Sequence, residues 1–549
     1  MFRNLLVTAC VLFTVATQAG AWFPKLPFTE RRKQWRIAHA LSADTSFGVA
    51  TTALPNLGPR PKTTTKPAAK LSDLFSVEAG QQSITDHGDT FLTISLDIGS
   101  QKIQAIPDSG SFELYIVDGD NCELDLCRPA YKPDDSKRHF EPTNLLSKEI
   151  YFGSGVCGVE LSFDSVHVHN EASSSASAGA SLIPIWRIVE MDESLASVWG
   201  DGQGFQGIVG LGFKGNLNKE TKEALIEEQV VLEAKRKTGV NPTRPGMASK
   251  ALFGDVFAIC LPRGEDANPV EVLLESKKPR ASQTDGRLWW GEQTVPALSY
   301  IEVPVVGTRH WTMKIDSAFF RYSEKGDTVH HMCGGPTASP CAALVDSGTS
   351  LIALSPEKIK DIVYKTVVGD LNPDCSNVDD MPDLVFNLGK DEQLVLTPDT
   401  YVMKISTNDV LPIMNEGGRV VLEKGKVLNV RPPPTHALTS LKGQKGSSIT
   451  YCTHAFMETP METALVGGTE HELIILGIPI FREYTVRFNR KKETIGFAAH
   501  PFGVTCHGDE LIKNDVKPSS LIEKSKRHIN VRQLGNIRSL VFPDEFARL

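Results

Sequence analysis

Two copies of one short motif hold the residues best suited to chemistry in this sequence. Ala105-Ile106-Pro107-Asp108-Ser109-Gly110-Ser111 recurs 238 residues later as Ala343-Leu344-Val345-Asp346-Ser347-Gly348-Thr349. Each copy has a hydroxyl residue after its glycine and an apolar stretch beyond it. One Asp-Ser-Gly triplet is weak evidence, but two with matching flanks are specific. The pair therefore indicates an internal duplication that supplies two carboxylates.

A second repeat follows each copy of the motif. Gly207-Ile208-Val209-Gly210-Leu211-Gly212 follows the first, and Ile474-Ile475-Leu476-Gly477-Ile478-Pro479 follows the second. An apolar-apolar-Gly pattern is typical of a buried strand whose glycine lets another backbone approach closely. We therefore expect two lobes, each with an aspartate on a tight turn and a glycine-bearing strand beside it.

The chemistry expected of such a pair is general acid–base catalysis. Two carboxylates a hydrogen bond apart cannot both ionise, so Asp108 and Asp346 would share one proton. The ionised partner can activate a water, and the protonated partner can donate to a carbonyl oxygen. No metal or cofactor is needed. The expected supporting residues are the glycines Gly110 and Gly348, the lobe-bracing hydroxyls of Ser109 and Ser347, and the hydroxyls of Ser111 and Thr349 on the outer carboxylate oxygens.

The composition favours a globular chain with many short strands. Of the 549 residues 41% are hydrophobic and 23% are charged, and the 33 prolines and 44 glycines often occur in turn-like clusters. The net charge of -8, from 58 basic and 66 acidic residues, argues against a nucleic-acid partner. Wholesale disorder and a polytopic membrane protein are excluded. A mostly β fold is expected.

The first 21 residues have the pattern of a cleaved signal peptide. Arg3 precedes an apolar run from Leu5 to Ala16, and Ala19-Gly20-Ala21 fits a signal peptidase site. The run is shorter than the roughly 20 residues needed to span a bilayer. We therefore expect a soluble, lumenal protein of the secretory pathway, with no stable membrane anchor after cleavage. Vacuolar or lysosome-like compartments, secretory organelles and the extracellular space all remain open.

The next segment differs in composition from the rest. A basic cluster, Arg31-Arg32-Lys33-Gln34-Trp35-Arg36, precedes a Thr/Pro/Lys/Ala-rich stretch. A basic segment can occupy a cleft that holds two carboxylates, which predicts an inhibitory pro-segment and a mature start between about Leu71 and Gly88. A passive linker is the alternative. The predicted division is a signal peptide (1–21), a candidate pro-segment or flexible linker (22–75), an N-terminal lobe (76–285), a C-terminal lobe (286–503) and a basic C-terminal extension (504–549).

The cysteines indicate an oxidising compartment. Of the ten, Cys10 leaves with the signal peptide, so nine remain. No Cys-x-x-Cys pair and no histidine cluster at zinc spacing occurs, so no metal site is predicted. Three pairs could each close a loop, namely Cys122 with Cys127, Cys333 with Cys341 and Cys375 with Cys452, which leaves Cys157, Cys260 and Cys506. At least one thiol must stay free or pair with another chain.

From about Thr90 to His500 the sequence resembles the pepsin-like aspartic proteases. Both Asp-Ser-Gly motifs, Leu476–Tyr484 and Phe488–Ala498 carry the resemblance, with Asn489 where the family has aspartate. It implies a bilobal fold of two duplicated β-rich lobes with the active-site cleft between them, and a catalytic dyad of Asp108 and Asp346. The motif wording, the insertions and the C-terminal extension resemble those of the apicomplexan and related protist members.

The resemblance also implies a flap and two disulfides. The implied disulfides are Cys122–Cys127 and Cys375–Cys452. The residues expected at the flap and in substrate binding are Tyr151, Phe152, Gly153, Ser154, Gly155 and Ser350. Because neighbours on a strand face opposite sides, only one of Tyr151 and Phe152 can face the cleft, and spacing favours Phe152. The family's tryptophan after the first motif is Tyr115 here, so a rewired flap hydrogen bond is expected.

Two further departures from the family pattern have structural consequences. Pro107 precedes the first aspartate, where a proline removes one backbone donor and either is tolerated at a strand edge or shifts the dyad. Three insertions, 173–181, 219–250 and 403–449, are expected on the surface.

The expected function is that of an aspartic endopeptidase that acts as a monomer on peptide or protein substrates. The first alternative is an inactive scaffold that binds peptides or proteins. The second is a lumenal structural protein whose Asp-Ser-Gly triplets are ordinary turns.

Overall fold

The fold is taken from a computed structural model. It describes residues 79–87, 91–119, 130–143, 146–152, 155–171, 182–192, 195, 205–213, 222–262, 286–307, 309–322, 329–334, 341–368, 371–372, 374–389, 392–407, 413–414, 420–421, 427–428, 449–459, 463–466, 469–500 and 504–515. These residues belong to one compact unit that begins at Ala69. The predicted signal peptide and pro-segment, the Cys122–Cys127 pair, and Gly153 and Ser154 lie outside the described residues.

Strands dominate the described part of the chain. Up to residue 290 they are β1 (Gly80–Asp86), β2 (Leu92–Ile98), β3 (Gln101–Asp108), β4 (Leu114–Val117), β5 (Ser147–Phe152), β6 (Gly155–Val168), β7 (Leu182–Met191), β8 (Gly207–Gly210), β9 (Val256–Cys260) and β10 (Gly286–Trp290). After it they are β11 (Ile301–Pro304), β12 (Thr312–Ile315), β13 (Ser317–Arg321), β14 (Val329–Gly334), β15 (Cys341–Val345), β16 (Ile352–Leu354), β17 (Asp383–Gly389), β18 (Glu392–Leu396), β19 (Val402–Thr407), β20 (Ile413–Met414), β21 (Val420–Val421), β22 (Val427–Leu428), β23 (Ile449–His454), β24 (Phe456–Glu458), β25 (Thr463–Val466), β26 (Thr469–Leu476), β27 (Tyr484–Asn489) and β28 (Thr494–Ala499).

The helices are short apart from one. They are α1 (Lys222–Thr238), α2 (Ala248–Phe253), α3 (Pro356–Lys358, continued by the π-helical Ile359–Val368), α4 (Pro398–Tyr401), α5 (Ile478–Glu483) and α6 (Gly508–Lys513). Two 3₁₀ turns cover Pro133–Asp135 and Val378–Asp380. Among the described helices none has the length and apolarity required to cross a membrane.

The strands form one large sheet and several smaller ones. The large sheet has thirteen strands in the order β11-β28-β27-β9-β10-β1-β2-β3-β8-β4-β7-β6-β5. A six-stranded sheet, β12-β15-β26-β16-β24 with β25 also paired to β26, and a four-stranded sheet, β14-β13-β17-β18, belong to the second half of the chain. In β1 buried positions alternate with more exposed ones, whereas every residue of β8, β9 and β15 is buried. Strands of the second kind lie inside the protein, which explains their continuous apolar sequences.

The internal repeat of the sequence is also a repeat of topology. In the first half β3 runs parallel to β8, and β4 lies antiparallel on the other side of β8. In the second half β15 runs parallel to β26, and β16 lies antiparallel on its other side. Each aspartate motif stands at the end of the first strand of such a trio. The prediction of a mostly β fold with two duplicated lobes is thereby confirmed.

Strands from both halves meet in the thirteen-stranded sheet. β9 pairs with β10 on one side and with β27 on the other, and β1 pairs with β10. The buried Arg482 of α5 forms an ion pair with Asp86 of β1, and its Nη1 donates to the carbonyl oxygen of Pro262 at 3.0 Å. The first strand is therefore held by both its neighbours and the C-terminal half.

Three disulfides lie in the described part of the chain. Cys333–Cys341 and Cys375–Cys452 are two of the predicted pairs, and Cys260 of β9 bonds to Cys506. Cys157 is the free thiol among the described cysteines; burial, assisted by the charge of Asp192, raises its pKa to about 12.

The Cys260–Cys506 bond belongs to a packed C-terminal segment. Val504 and Leu511 are buried in the same cluster as Trp289 of β10, so residues 504–515 join the fold. Residues 516–549, which carry most of the predicted basic tail, lie outside the described residues.

The expectation that all three insertions lie on the surface is wrong for one of them. Within 219–250, Val230 and Ala234 of α1 are buried against the N-terminal lobe, and Ala248 of α2 joins the main core. These residues are apolar at helical spacing, so burying them stabilises the insertion. The insertion 173–181 and most of 403–449 lie outside the described residues.

Candidate active site

Each aspartate is placed by a glycine-bearing strand. Asp108 pairs with Gly210 of β8, and the N–H of Asp346 donates to the carbonyl oxygen of Leu476 at 2.9 Å. A Cβ at Gly210 would lie 2.5 Å from the backbone nitrogen of Phe112, and one at Gly477 would lie 2.2 Å from the carbonyl oxygen of Leu351. The chain that follows each aspartate thus crosses these strands too closely for any side chain.

The glycines after the aspartates bring the two carboxylates together. The N–H of Gly110 donates to Asp108 Oδ1 at 2.8 Å, and that of Gly348 donates to Asp346 Oδ1 at 2.9 Å. A Cβ at Gly110 would lie 2.6 Å from Asp346 Oδ2, and one at Gly348 would lie 2.5 Å from Asp108 Oδ1. Each glycine therefore faces the aspartate of the other lobe, and a side chain at either position would displace that carboxylate.

The two serines of the motifs exchange hydrogen bonds between the lobes. Ser109 N–H donates to Ser347 Oγ at 3.0 Å, and Ser347 N–H donates to Ser109 Oγ at 2.9 Å. Each hydroxyl then donates to a carbonyl oxygen of the opposite lobe, Ser109 to Val345 at 2.9 Å and Ser347 to Pro107 at 2.6 Å. All four bonds are buried and fix the distance between the aspartates.

The hydroxyls expected at the outer carboxylate oxygens differ between the lobes. Thr349 Oγ1 donates to Asp346 Oδ2 at 2.7 Å. The hydroxyl of Ser111 lies close enough to Asp108 to favour its ionised form, but without a hydrogen bond of ordinary geometry. Ser350 is buried beside Thr349. The two carboxylates therefore have unequal surroundings.

The electrostatics favour a proton on Asp108. Burial raises the pKa of this carboxyl well above its usual range, and the charge of Asp346 and the hydrogen bond between the two carboxyls raise it further. The Ser111 hydroxyl and the Gly110 N–H oppose the rise. Since the pair titrates as a unit, it holds one shared proton over an extended pH range.

The β5–β6 hairpin, which the resemblance implies to be a flap, presents Phe152 to the interior. β5 and β6 pair up to Phe152 opposite Gly155, with the two residues of the tip outside the described residues. The Phe152 ring meets that of Tyr115 edge to face, with centroids 5.6 Å apart and planes at 86°. Tyr151 is 69% exposed, and its hydroxyl donates to Glu149 Oε2 at 3.0 Å. An aromatic contact thus joins this hairpin to the strand that follows the first motif.

Two residues beside the dyad, Arg309 and His310, were not predicted as site residues from the sequence. The His310 ring lies 4.8 Å from that of Phe112, and the backbone of Gly110 is close enough to the imidazole to favour its charged form. Arg309 places its guanidinium 5.1 Å from the same Phe112 ring. The sequence indicated their position only indirectly. The strand after Trp311, β12, precedes the second motif as β2 precedes the first, so the start of β12 had to lie near the site.

A buried glutamate links the first motif to the insertion. Glu113 is buried, and its Oε2 accepts a hydrogen bond from the N–H of Gly246 at 3.0 Å. Burial raises the pKa of Glu113, and the positive charge of Lys148 on the flap strand opposes the rise. The Lys148 ammonium also lies 3.8 Å from the centroid of the Trp186 ring. The turn after the first motif, strand β5 and the insertion 219–250 therefore meet at this carboxyl.

The described residues offer no alternative metal centre, since no group of three or more His, Cys, Asp or Glu side chains among them is arranged to hold an ion.

Comparison with known proteins assigns the family. The profile described as "Eukaryotic aspartyl protease" matches residues 89–411, more than half of the chain and both aspartate motifs. Cathepsin E of Mus musculus is 26% identical over 353 residues, which cover 62% of this chain and 72% of that protein. Pepsin A of Sus scrofa is 24% identical over 348 residues, covering 62% and 75%. Cathepsin D of Mus musculus is 24% identical over 357 residues, covering 63% and 73%. The chain belongs to the eukaryotic aspartyl protease family.

Proposed function

We propose that the protein is an aspartic endopeptidase that hydrolyses peptide bonds with a water activated between Asp108 and Asp346. The observation that carries the proposal is the reciprocal packing of each motif glycine against the aspartate of the other lobe. It leaves two carboxyls face to face with one proton between them. Similarity to cathepsin E, cathepsin D and pepsin A supports the same reaction class.

In the proposed mechanism the two carboxyls have opposite roles. With the proton on Asp108, the carboxylate of Asp346 removes a proton from the water as its oxygen attacks the peptide carbonyl carbon. Asp108 gives its own proton to the carbonyl oxygen, which produces a neutral tetrahedral diol. Asp346 then protonates the amide nitrogen, and Asp108 takes back a hydroxyl proton as the C–N bond breaks. The dyad ends with one proton, as it began.

The other site residues position this chemistry. We infer that the serine pair and the two glycine N–H groups hold the carboxyls, so that little reorganisation is needed during the reaction. The β5–β6 hairpin, with Phe152 and Gly155 opposite each other near its tip, serves as the flap over a bound peptide, and Ser350 lies in the substrate-binding part of the cleft. Disulfides and the predicted signal peptide support a lumenal, secretory-pathway location, and we propose that the protein acts there as a monomer on peptide or protein substrates.

The test is peptide hydrolysis by dyad variants. Asp108→Asn and Asp346→Asn each keep the shape of the side chain but remove its acid–base function, so each is expected to abolish cleavage of a peptide library between pH 3 and 8 while the protein stays folded. Asp361→Asn, on the exposed face of the helix that continues α3, is the matched control and should retain full activity.

Appreciable cleavage by either dyad variant would overturn the proposal. If the wild-type protein cleaves nothing but binds a statine-type transition-state mimic, the inactive binding scaffold is the correct description instead.

A further inference from the structure

One edge of the cleft carries positive charge that the proposed hydrolysis does not use. Arg309 and His310 stand immediately before β12 and flank the same aromatic ring, that of Phe112. Arg309 is exposed, and within the described ranges no acidic side chain forms an ion pair with it. Its stacking on Phe112 holds the guanidinium in place while leaving the N–H groups open to a ligand.

This edge lies directly beside the dyad. Phe112 is two residues after Gly110, and a Cβ at Gly110 would lie 2.6 Å from Asp346 Oδ2. The backbone of Gly110 is also close enough to the His310 imidazole to favour its charged form. A peptide that places its scissile bond at the dyad therefore passes a neighbouring side chain over Phe112, within reach of Arg309.

The charges around His310 come from both lobes. Burial, and next the positive charge of Arg309, lower the pKa of His310, whereas Asp346 and the Gly110 carbonyl oppose this effect. Arg309 also acts on the buried Tyr115, whose other titratable neighbours are Glu113, Cys157 and Asp108. A guanidinium is a permanent cation in proteins, so this edge of the cleft suits an anionic partner.

We propose that Arg309, stacked on Phe112 and supported by His310, selects an acidic side chain at the substrate position that lies over this ring. The inference rests on the proposed endopeptidase function and adds the substrate class. The carboxylate of a glutamate fits the planar, two-pronged donor set of a guanidinium. A residue closer to the dyad would instead meet its negative charge, so the preference is confined to one position.

The experiment compares matched peptides that carry Glu or Gln at one position at a time on each side of the scissile bond. At pH 6 wild-type kcat/KM should favour Glu at a single position by about fivefold, the size expected of a partly exposed ion pair. Arg309→Gln should abolish that ratio and Arg309→Lys should restore part of it. Arg138→Gln changes an exposed arginine that contacts none of the site residues and should leave the ratio unchanged.

The pH profile separates charge recognition from a structural role. A peptide glutamate protonates at about pH 4.3, so the Glu-to-Gln ratio should fall towards one between pH 6 and pH 3. A ratio that stays constant over this interval, equal rates for Glu and Gln at every position, or a preference that survives Arg309→Gln would each overturn the proposal.

A binding measurement makes the outcome independent of catalysis. Fluorescently labelled forms of the same peptides are titrated at pH 6 with the Asp108→Asn protein, with and without Arg309→Gln. The Glu peptide should bind about fivefold tighter than the Gln peptide only when Arg309 is present. If wild-type protein hydrolyses no peptide, the proposed function fails, whereas equal affinities of the two peptides would refute the acidic preference itself.

Discussion

Ser347 Oγ donates a 2.6 Å hydrogen bond to the carbonyl oxygen of Pro107, so the second lobe holds the residue before the first aspartate. The N–H of Leu211 in turn donates to the carbonyl of Asp108 from the β8 side. Neighbours along a strand point their backbone groups to opposite edges. Pro107 therefore faces away from β8, and its missing N–H leaves the β3–β8 ladder intact.

Pro107→Ile is therefore expected to leave kcat/KM within a factor of about three, because the carbonyl that Ser347 binds is retained. The equivalent residue in the second motif, Val345, donates its N–H to the carbonyl of Trp311 at 3.0 Å. Val345→Pro removes that bond and should lower both activity and melting temperature. A large gain or a large loss in Pro107→Ile would show instead that the proline shapes the active turn.

The serine brace can be tested through stability. Ser347→Ala removes one donor and one acceptor in a buried network, so the free energy of unfolding in urea should fall by about 1–3 kcal/mol. Activity should fall as well. The control is Ser162→Ala: this hydroxyl is fully buried and has no hydrogen-bond partner among the described residues, so its loss should cost little. Equal effects of the two changes would contradict the bracing role.

The raised pKa of Asp108 predicts a pH-dependent stability. A carboxyl whose folded pKa exceeds its unfolded pKa contributes stability that is fully present below the unfolded value and lost as pH rises through the folded one. The amide in Asp108→Asn does not ionise, so this variant does not lose that stability as the pH rises. Its melting temperature should exceed that of the wild type at pH 7, and the difference should shrink below about pH 4. If the melting temperatures of wild type and Asp108→Asn change in parallel with pH across this range, the raised pKa of Asp108 is refuted.

The same pKa direction governs the expected pH dependence of activity. Hydrolysis needs one proton on the dyad, so wild-type kcat should decline as pH rises through the upper apparent pKa of the pair. That decline should begin above the usual carboxyl range, because burial and the charge of Asp346 hold the proton on Asp108.

The flap predicts different effects for two adjacent residues. Phe152→Ala removes the edge-to-face contact with Tyr115 and should lower kcat/KM by about tenfold, as expected for the loss of an aromatic pair with its buried area. Tyr151→Ala changes a ring that is 69% exposed and should have little effect. A larger loss from the Tyr151 change would mean that the opposite face of the hairpin covers the substrate.

The fold narrows the predicted activation site. β1 is paired with β2 and β10, and Asp86 is bound to Arg482. Cleavage inside β1 would remove these contacts, so the mature chain should begin between about Leu71 and Ala79. Protein beginning at Leu71 should be more active than the full-length form at one pH, and protein beginning at Ser83 should melt at a lower temperature. Equal activity of the full-length protein and the protein beginning at Leu71, with no shortening of the full-length form at low pH, would exclude an inhibitory pro-segment.

The aspartate turns and the glycine strands beside them were predictable, because both belong to a short local pattern that occurs twice. The Cys260–Cys506 disulfide was not, since its cysteines are 246 residues apart and several pairings fit an odd set. His310 reaches the dyad through the pairing of β12 with β15. Its role depends on strand register, which no single residue type in the sequence records.

The reciprocal packing of the motifs has the character of a two-fold interface, in which residue i meets residue j and j meets i. Each lobe provides the glycine that packs against the other lobe's aspartate. Each also provides a serine hydroxyl that donates a hydrogen bond to a backbone carbonyl oxygen of the other lobe. Neither lobe contains a complete site. A substitution of either glycine therefore disturbs the carboxylate of the opposite lobe. A side chain introduced at position 110 collides with Asp346, and one introduced at position 348 collides with Asp108.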